Sequence, residues 1–360
     1  MIHHTFRASE GALSVAPLLT PSYELIRAGH TQRQLAARVA SGELLRVRPG
    51  WYAEASRFQN TPAKEQQLAA IYAAQRALTN PPLFAGRSAA TIHGFPAWSR
   101  WLHSVGGAEL PDPLTVHTLV PPGSRGSRTP RFTASRARVP DSDRELISGV
   151  RVTSRERTLW DIARVAPLEV GLACADHYLR DIARTGHRIN DHEWSAWRER
   201  MLARAELSPR TPGVARARVV VALAHPGADS PLESVSRLRL DQLGVEVELQ
   251  HPVPSEPGGT LWIDFWFVHA PYFGECDGKI KYTDAAFRDG QTAEEVVYAE
   301  KCREDWLRGV TGRRPARWAA GNVHTAAKLG ARLTAFGMPV PGVASSRYGP
   351  EVAKALARLR

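Results

Sequence analysis

An aspartate lies in the middle of a strongly apolar segment near the C-terminal end of the chain. The segment reads TLWIDFWFV, and Asp264 is its one ionisable residue. Its β-branched and aromatic composition predicts a strand. Burying an ionised carboxylate among such side chains costs several kcal/mol unless a cation or hydrogen-bond donors pair with it. Any fold of this region therefore has to bring a partner to Asp264.

A second predicted strand, YFGECDGKIKY, follows and carries acids and lysines at every other position. Alternate residues of a strand share one face, which groups Glu275, Asp277, Lys279 and Lys281. Two acids and a lysine on adjacent strands can hold a divalent cation and an attacking water, as phosphodiester hydrolysis requires. Mg²⁺ needs only one or two carboxylates besides waters and substrate oxygens, so Asp264 and Glu275 are the predicted ligands.

The elements around these strands predict an α/β core. A helix, SPLESVSRLRLDQLG, precedes three strands, and a long helix and a final strand, RPARWAA, follow them. Glu233 lies in the first turn of the first helix. It can contribute a third carboxylate to a metal site, or it can form a capping box with Ser230.

Residues 229–320 resemble the restriction-endonuclease-like superfamily, the PD-(D/E)xK fold, and within it the small Vsr-like members with an E…D…E-x-D-G pattern. The resemblance implies that Asp264 and Glu275 bind Mg²⁺, that Glu233 is the helix acid, and that Asp277 is the second acid of the E-x-D-G segment. The lysine that orients the water usually stands where this chain has Asp277. Lys279 and Lys281 are the two alternatives.

Residues 21–56 predict a winged helix-turn-helix. SYELIRAGH forms one helix, a Thr31–Gln34 capping box opens a second, QRQLAARVAS, and ELLRVRPGWYAE forms a hairpin with a Pro-Gly turn. In this fold the second helix enters the major groove and wing residues contact phosphates. The predicted DNA contacts are Arg33, Gln34, Arg38, Arg46 and Arg48. Paired helices of this kind also serve as protein-interaction modules.

The segment LIRAGHTQRQLAARVASGELLRVRPGWYAE resembles the AbiEi family of type IV toxin–antitoxin antitoxins. The likeness continues through SAATIHGFP and GVRVTSRERTLWDIAR. It implies an N-terminal winged helix-turn-helix that binds promoter DNA, and a following domain that opposes a cognate toxin protein.

The net charge of +11 agrees with a polyanionic partner such as DNA. A GC-rich genome can also enrich arginine. The three cysteines lack metal-ligand spacing, and no apolar run is long enough for a membrane span. We therefore expect a cytoplasmic protein without a membrane partner. His177, His187 and His192 are expected to be surface or packed residues.

These patterns predict a multidomain α/β protein. Its expected parts are a winged helix-turn-helix at 15–58, a middle α+β and helical region at 59–226, a restriction-endonuclease-like core at 227–325 and a basic tail at 326–360. The leading hypothesis is a DNA-binding protein with a Mg²⁺-dependent endonuclease domain. The alternative is a non-catalytic antitoxin and transcriptional regulator whose nuclease fold has decayed.

Overall fold

The computed structural model describes residues 18–78, 80, 82–277 and 293–359. They form two compact units. Unit 1 contains the described residues up to Arg100 together with Glu109–Ala166, and unit 2 contains Trp101–Ala108 and the described residues from Pro167 onward. Among the described helices, none is long and apolar enough to cross a membrane.

Unit 1 begins with two short helices and a hairpin, in the predicted order. The elements are β1 (Thr20–Pro21), α1 (Ser22–Arg27), α2 (Gln32–Ala40), β2 (Leu44–Arg48) and β3 (Trp51–Glu54). The strands form a sheet in the order β1-β3-β2. Leu35 of α2 is fully buried and packs with Leu44 and Tyr52 of the hairpin, which fixes the helix on the sheet.

The rest of unit 1 is a six-stranded mixed sheet with helices, as expected for an α+β region. Its helices are α3 (Ala55–Gln59), α4 (Ala63–Ala77), α5 (Gly86–Ile92) and α7 (Arg155–Val165), and the intervening α6 (Arg100–Val105) belongs to unit 2 from Trp101 onward. Its strands are β4 (Leu83–Phe84), β5 (Val116–Val120), β6 (Ser127–Thr129), β7 (Phe132–Arg136), β8 (Arg144–Ile147) and β9 (Val150–Thr153). The order is β6-β7-β5-β4-β9-β8.

Unit 2 opens with a helical part. It consists of α8 (Leu168–Ala183), a small hairpin of β10 (Arg184–Thr185) and β11 (Arg188–Ile189), α9 (Asp191–Leu207) and α10 (Val214–Leu223). Helix α8 is buried along most of its length and packs against α9 and α10.

The second part of unit 2 has the predicted order of helix, three strands, helix and strand. The elements are α11 (Pro231–Leu243), β12 (Val247–Pro254), β13 (Thr260–Phe267), β14 (Tyr272–Asp277), α12 (Ala293–Thr311) and β15 (Arg314–Ala319). The sheet order is β12-β13-β14-β15; the first three strands are antiparallel neighbours, and β15 runs parallel to β14. Helices α13 (Ala326–Ala335) and α14 (Pro350–Arg358) follow.

The structure divides the chain differently from the predicted boundary at 226. Arg237 of α11 forms a buried ion pair with Asp176 of α8 at 2.9 Å and also donates to the carbonyl of Leu223 in α10. The helical part and the α/β part therefore form one unit.

The C-terminal segment, predicted as a basic tail at 326–360, also belongs to this unit. The side-chain amide of Gln242 donates to the carbonyl of Leu356 at 3.1 Å. Arg239, which is fully buried, donates to the Glu169 carboxylate at 2.9 Å and to the carbonyls of Val323 and Val105 at 3.2 and 3.4 Å. The Gln242 bond ties α14 to α11, and the Arg239 bonds tie α11 to α8, to α6 and to the segment between β15 and α13.

Candidate metal centre and nucleic-acid surface

The backbone around Asp264 departs from a regular strand. In the register of β12 and β13, Leu249 pairs with Phe265 and His251 pairs with Ile263, which leaves Gln250 opposite Asp264. Gln250 has a positive φ of 53°, a conformation that is uncommon for residues other than glycine. Such backbone outliers are concentrated at functional sites.

The alternation of side chains between the two faces of β13 is reversed at Asp264. Ile263 packs with Phe273 and Leu307, whereas the Phe265 ring lies 5.1 Å from the ring of Trp318. Trp318 in turn donates a hydrogen bond to Ser236 of α11 at 2.8 Å. Residues on either side of Asp264 thus face different helices.

Asp264 lies beside Glu233 and Cys276. One ligand atom from each of the three residues lies within 4.8 Å of the others, and the backbone N–H of Cys276 donates to Asp264 Oδ2 at 3.4 Å. Glu233 and Cys276 are buried, and Asp264 is half-buried. Residues from α11, β13 and β14 therefore bring two carboxylates and one thiol together.

Glu233 lies in the first turn of α11, which Ser230 caps as expected, but the backbone N–H that its carboxylate accepts from is that of Asp229 and not of Ser230. Its Oε1 accepts a hydrogen bond from the Ser230 hydroxyl at 3.0 Å, and its backbone N–H donates to the same hydroxyl at 3.2 Å. Its Oε2 accepts from the backbone N–H of Asp229 at 2.8 Å. Burial, reinforced by the negative charge of Asp264, raises the pKa of Glu233 to about 8.

Glu275 does not join Asp264, so the predicted metal pair differs from the structure. The buried Glu275 carboxylate forms ion pairs with Arg303 at 2.6 Å and with Arg317 at 3.0 Å. Arg317 also pairs with Glu300 and Glu304 of α12. Glu275 points to α12 and is neutralised there, whereas Cys276, the next residue, meets Asp264.

The remaining predicted residues of this site lie partly or wholly outside the described part of the chain. Asp277 ends β14 and pairs with Ala319 in the sheet, but its side chain lies outside the described part of the chain. Lys279 and Lys281 also lie outside the described residues.

Sequence reasoning missed several neighbours of this cluster. Arg184 of the β10–β11 hairpin pairs with Asp229 at 2.8 Å. The His187 ring stacks on Trp262 with centroids 4.2 Å apart, and its Nδ1 lies 3.0 Å from Gln250 Oε1. Cys276 was missed because its partners come from two other elements, which no local cysteine spacing can reveal. The one local sign of these neighbours in the sequence was Trp262, an aromatic residue two positions before Asp264.

The donor set fits Mg²⁺ only in part. The carboxylates of Glu233 and Asp264 are hard oxygen donors of the kind Mg²⁺ takes in proteins. The Cys276 sulfur is a soft donor that suits other divalent metals. The cluster is thus a mixed site rather than the all-oxygen site that the sequence predicted.

Helix α2 in unit 1 carries three of the predicted DNA contacts, and they differ in environment. Arg33 is exposed. Gln34 completes the predicted capping box, with its Oε1 accepting from the backbone N–H of Thr31 at 2.7 Å. Arg38 pairs with Glu43 at 2.5 Å. Of the two arginines, Arg33 presents its charge more directly to solvent.

The two arginines of the hairpin also differ. Arg46 is exposed. The Arg48 guanidinium donates to the carbonyl of Arg131 at 2.7 Å and lies over the Phe132 ring, 5.1 Å from its centroid. Burial lowers the pKa of Arg48 to about 10. Arg48 is therefore a packing residue of unit 1 and not the exposed wing residue that the alternation predicted.

Comparison with known proteins gave one family. Residues 84–209 match the AbiEi antitoxin C-terminal domain. The match begins at β4 in unit 1 and ends just after α9 in unit 2, so it contains the β10–β11 hairpin and Asp176. A search of curated proteins found no match. The likeness to AbiEi antitoxins, predicted from residues 25–54 and weaker stretches beyond, thus has independent support in the middle of the chain.

Proposed function

We propose that this protein is a DNA-binding regulator of the AbiEi antitoxin kind. The observation that carries the proposal is the match of residues 84–209 to the AbiEi antitoxin C-terminal domain. The regulator would act in the cytoplasm, would bind promoter DNA through its N-terminal elements, and would have a cognate toxin protein as its partner.

The N-terminal elements support DNA binding by a winged helix-turn-helix. Helix, turn, helix and hairpin precede the matched region in that order. The outward face of α2 carries the exposed residues Gln32, Arg33, Ala36 and Ala37. A helix with small residues and a basic side chain on its open face can approach base edges closely, while Arg46 of the hairpin can contact a phosphate.

DNA binding is tested with the exposed arginine of α2. We expect Arg33→Ala to weaken binding to DNA from the promoter of the protein's own gene by about tenfold, because one charged contact is lost. Fluorescence anisotropy over a salt series measures log K against log salt concentration. The magnitude of this negative slope should decrease by about 1.

Arg128→Ala is the matched control, since Arg128 is an exposed arginine of unit 1 on strand β6. It should leave both the affinity and the salt slope unchanged. Equal losses of DNA affinity in the two variants would mean that DNA responds to the overall positive charge and not to a defined binding surface. An unaffected Arg33→Ala would argue against α2 as the DNA-reading helix.

A second candidate function, Mg²⁺-dependent phosphodiester hydrolysis, is favoured by the convergence of Glu233 and Asp264 on an α/β core. Mg²⁺ bound there would neutralise charge on the scissile phosphate and lower the pKa of a bound water. The two carboxylates would hold the ion, and α11 and β13 would fix their separation. The Cys276 thiol beside them is the feature that fits this chemistry least.

The hydrolytic function is tested with supercoiled plasmid and single-stranded DNA, with Mg²⁺ or Mn²⁺ and then with a chelator. Asp264→Asn should abolish cleavage. Glu256→Gln, an exposed acid in the turn between β12 and β13, should not. Absence of metal-dependent cleavage by the unaltered protein, with DNA binding retained, would leave the regulator alone.

A further inference from the structure

We propose that Glu233, Asp264 and Cys276 form a binding site for a thiophilic divalent cation of the Zn²⁺ or Co²⁺ class, with Cys276 Sγ as a direct ligand. The inference concerns the same cluster as the second candidate function and changes the metal it would use. It requires cation binding and not cleavage, so the two can fail separately.

The geometry is close to that of a ligand set. Zn²⁺ binds thiolate sulfur at about 2.3 Å and carboxylate oxygen at about 2.0–2.2 Å, so tetrahedral ligand atoms lie about 3.5 Å apart. The three ligand atoms of the cluster lie within 4.8 Å of one another. Small side-chain rotations close this difference. Each ligand comes from a separate element, α11, β13 or β14, so the ion would cross-link the core of unit 2.

The electrostatics favour a cation at this place. The hydrogen bonds to the Glu233 carboxylate come from two neutral donors, the Ser230 hydroxyl and the Asp229 backbone N–H. Asp264 lies beside this carboxylate, so two acids are held together in a largely buried place. A divalent ion bound between them would offset their mutual repulsion.

The sulfur decides the class of cation. Mg²⁺ is a hard ion that demands near-octahedral oxygen ligands, whereas thiolates select Zn²⁺ and related ions. The three ligands found among the described residues leave a fourth position of a tetrahedral ion to be filled, as in catalytic rather than structural zinc sites. Asp264 is half-buried, so water or a phosphate oxygen could fill it.

Cys174 shows what a buried cysteine without such neighbours looks like. It lies fully buried in α8, and burial raises the pKa of its thiol. Cys174 is not part of the cluster of potential metal ligands found among the described residues. Cys174 and the exposed Cys302 are therefore matched controls for Cys276.

The test is a Co²⁺ titration of the reduced full-length protein, because thiolate ligation produces a sulfur-to-cobalt charge-transfer band in the near ultraviolet. We expect one equivalent of Co²⁺ to produce the band and Zn²⁺ to displace it, with Mg²⁺ in large excess having no effect. Cys276→Ser should abolish the band and weaken Co²⁺ binding at least about tenfold. Cys174→Ser and Cys302→Ser should keep the band.

Asp264→Asn provides a second variant that keeps the thiol, and it should also weaken Co²⁺ binding while circular dichroism shows the fold unchanged. A band that survives Cys276→Ser, or that is lost in Cys302→Ser, would overturn the assignment. Full competition by Mg²⁺ would do the same. Co²⁺ binding without DNA cleavage would support the cation site and remove the hydrolytic function.

Discussion

Two carboxylates on neighbouring strands of one sheet, Asp264 and Glu275, have opposite environments. Glu275 is buried against two arginines, Arg303 and Arg317, which neutralise it. Asp264 is held beside another acid, Glu233, and a thiol. A neutralised buried acid joins elements of a fold, here β14, β15 and α12. An acid placed against a second acid costs stability, and such an arrangement is typical of binding and catalytic sites.

The contrast between the two acids predicts a strong dependence of stability on pH when a chelator is present. Since the pKa of Glu233 is raised from 4.5 to about 8, its contribution to folding is fully present below about pH 4.5 and is lost as pH rises through about 8. At about 1.4 kcal/mol per pKa unit, the free energy of unfolding should fall by several kcal/mol over this range.

Urea denaturation at several pH values measures this fall, and Glu233→Gln is the reference. The variant should show a flatter profile because its amide does not titrate. Parallel profiles for the two proteins would mean that Glu233 is not held against Asp264 in the way the structure indicates.

The structural role of the neutralised acid is tested with Glu275→Gln. The change leaves two partly exposed arginines without their buried acid, and we expect a loss of about 2 kcal/mol in the free energy of unfolding. Glu256→Gln should change it by less than about 0.5 kcal/mol, as for other exposed positions. A Glu275→Gln protein as stable as the control would contradict a structural role for these ion pairs.

Substitution of the other acid, Asp264, should change stability by less and in the opposite direction. Asp264→Asn should stabilise the metal-free protein by about 1 kcal/mol, because it removes the charge beside Glu233. Thermal unfolding with a chelator measures the gain as a higher Tm. Destabilisation comparable to that of Glu275→Gln would show that both acids are structural, and the contrast between them would be lost.

Local signals in the sequence predicted local structure well. The capping box at Thr31 and the N-cap at Ser230 start α2 and α11 where their residue types indicate. The order of elements in the α/β part of unit 2 also follows from short-range patterns. These features depend on residues three or four positions apart, which a sequence displays directly.

The partners of buried charges could not be predicted in the same way. Asp264 meets Cys276 because the strand pair changes phase at Gln250, and glutamine gives no warning of a positive φ where glycine would. Arg48 turns inward because the hairpin register shifts between Arg46 and Arg48, and its partner Phe132 is far away in the chain. The Arg237–Asp176 pair, which spans the boundary expected at 226, is also formed by residues far apart in the chain that no local pattern links.

The acceptors of Arg239 have a consequence for the order in which unit 2 can form on the ribosome. Its guanidinium binds Glu169, 70 residues earlier, and the carbonyl of Val323, 84 residues later. Until that later segment has left the ribosome, the Arg239 guanidinium, which is fully buried in the folded protein, lacks one of its hydrogen-bond acceptors. Domains fold as units during synthesis, so unit 2 completes its core only after the segment around Val323 has been translated.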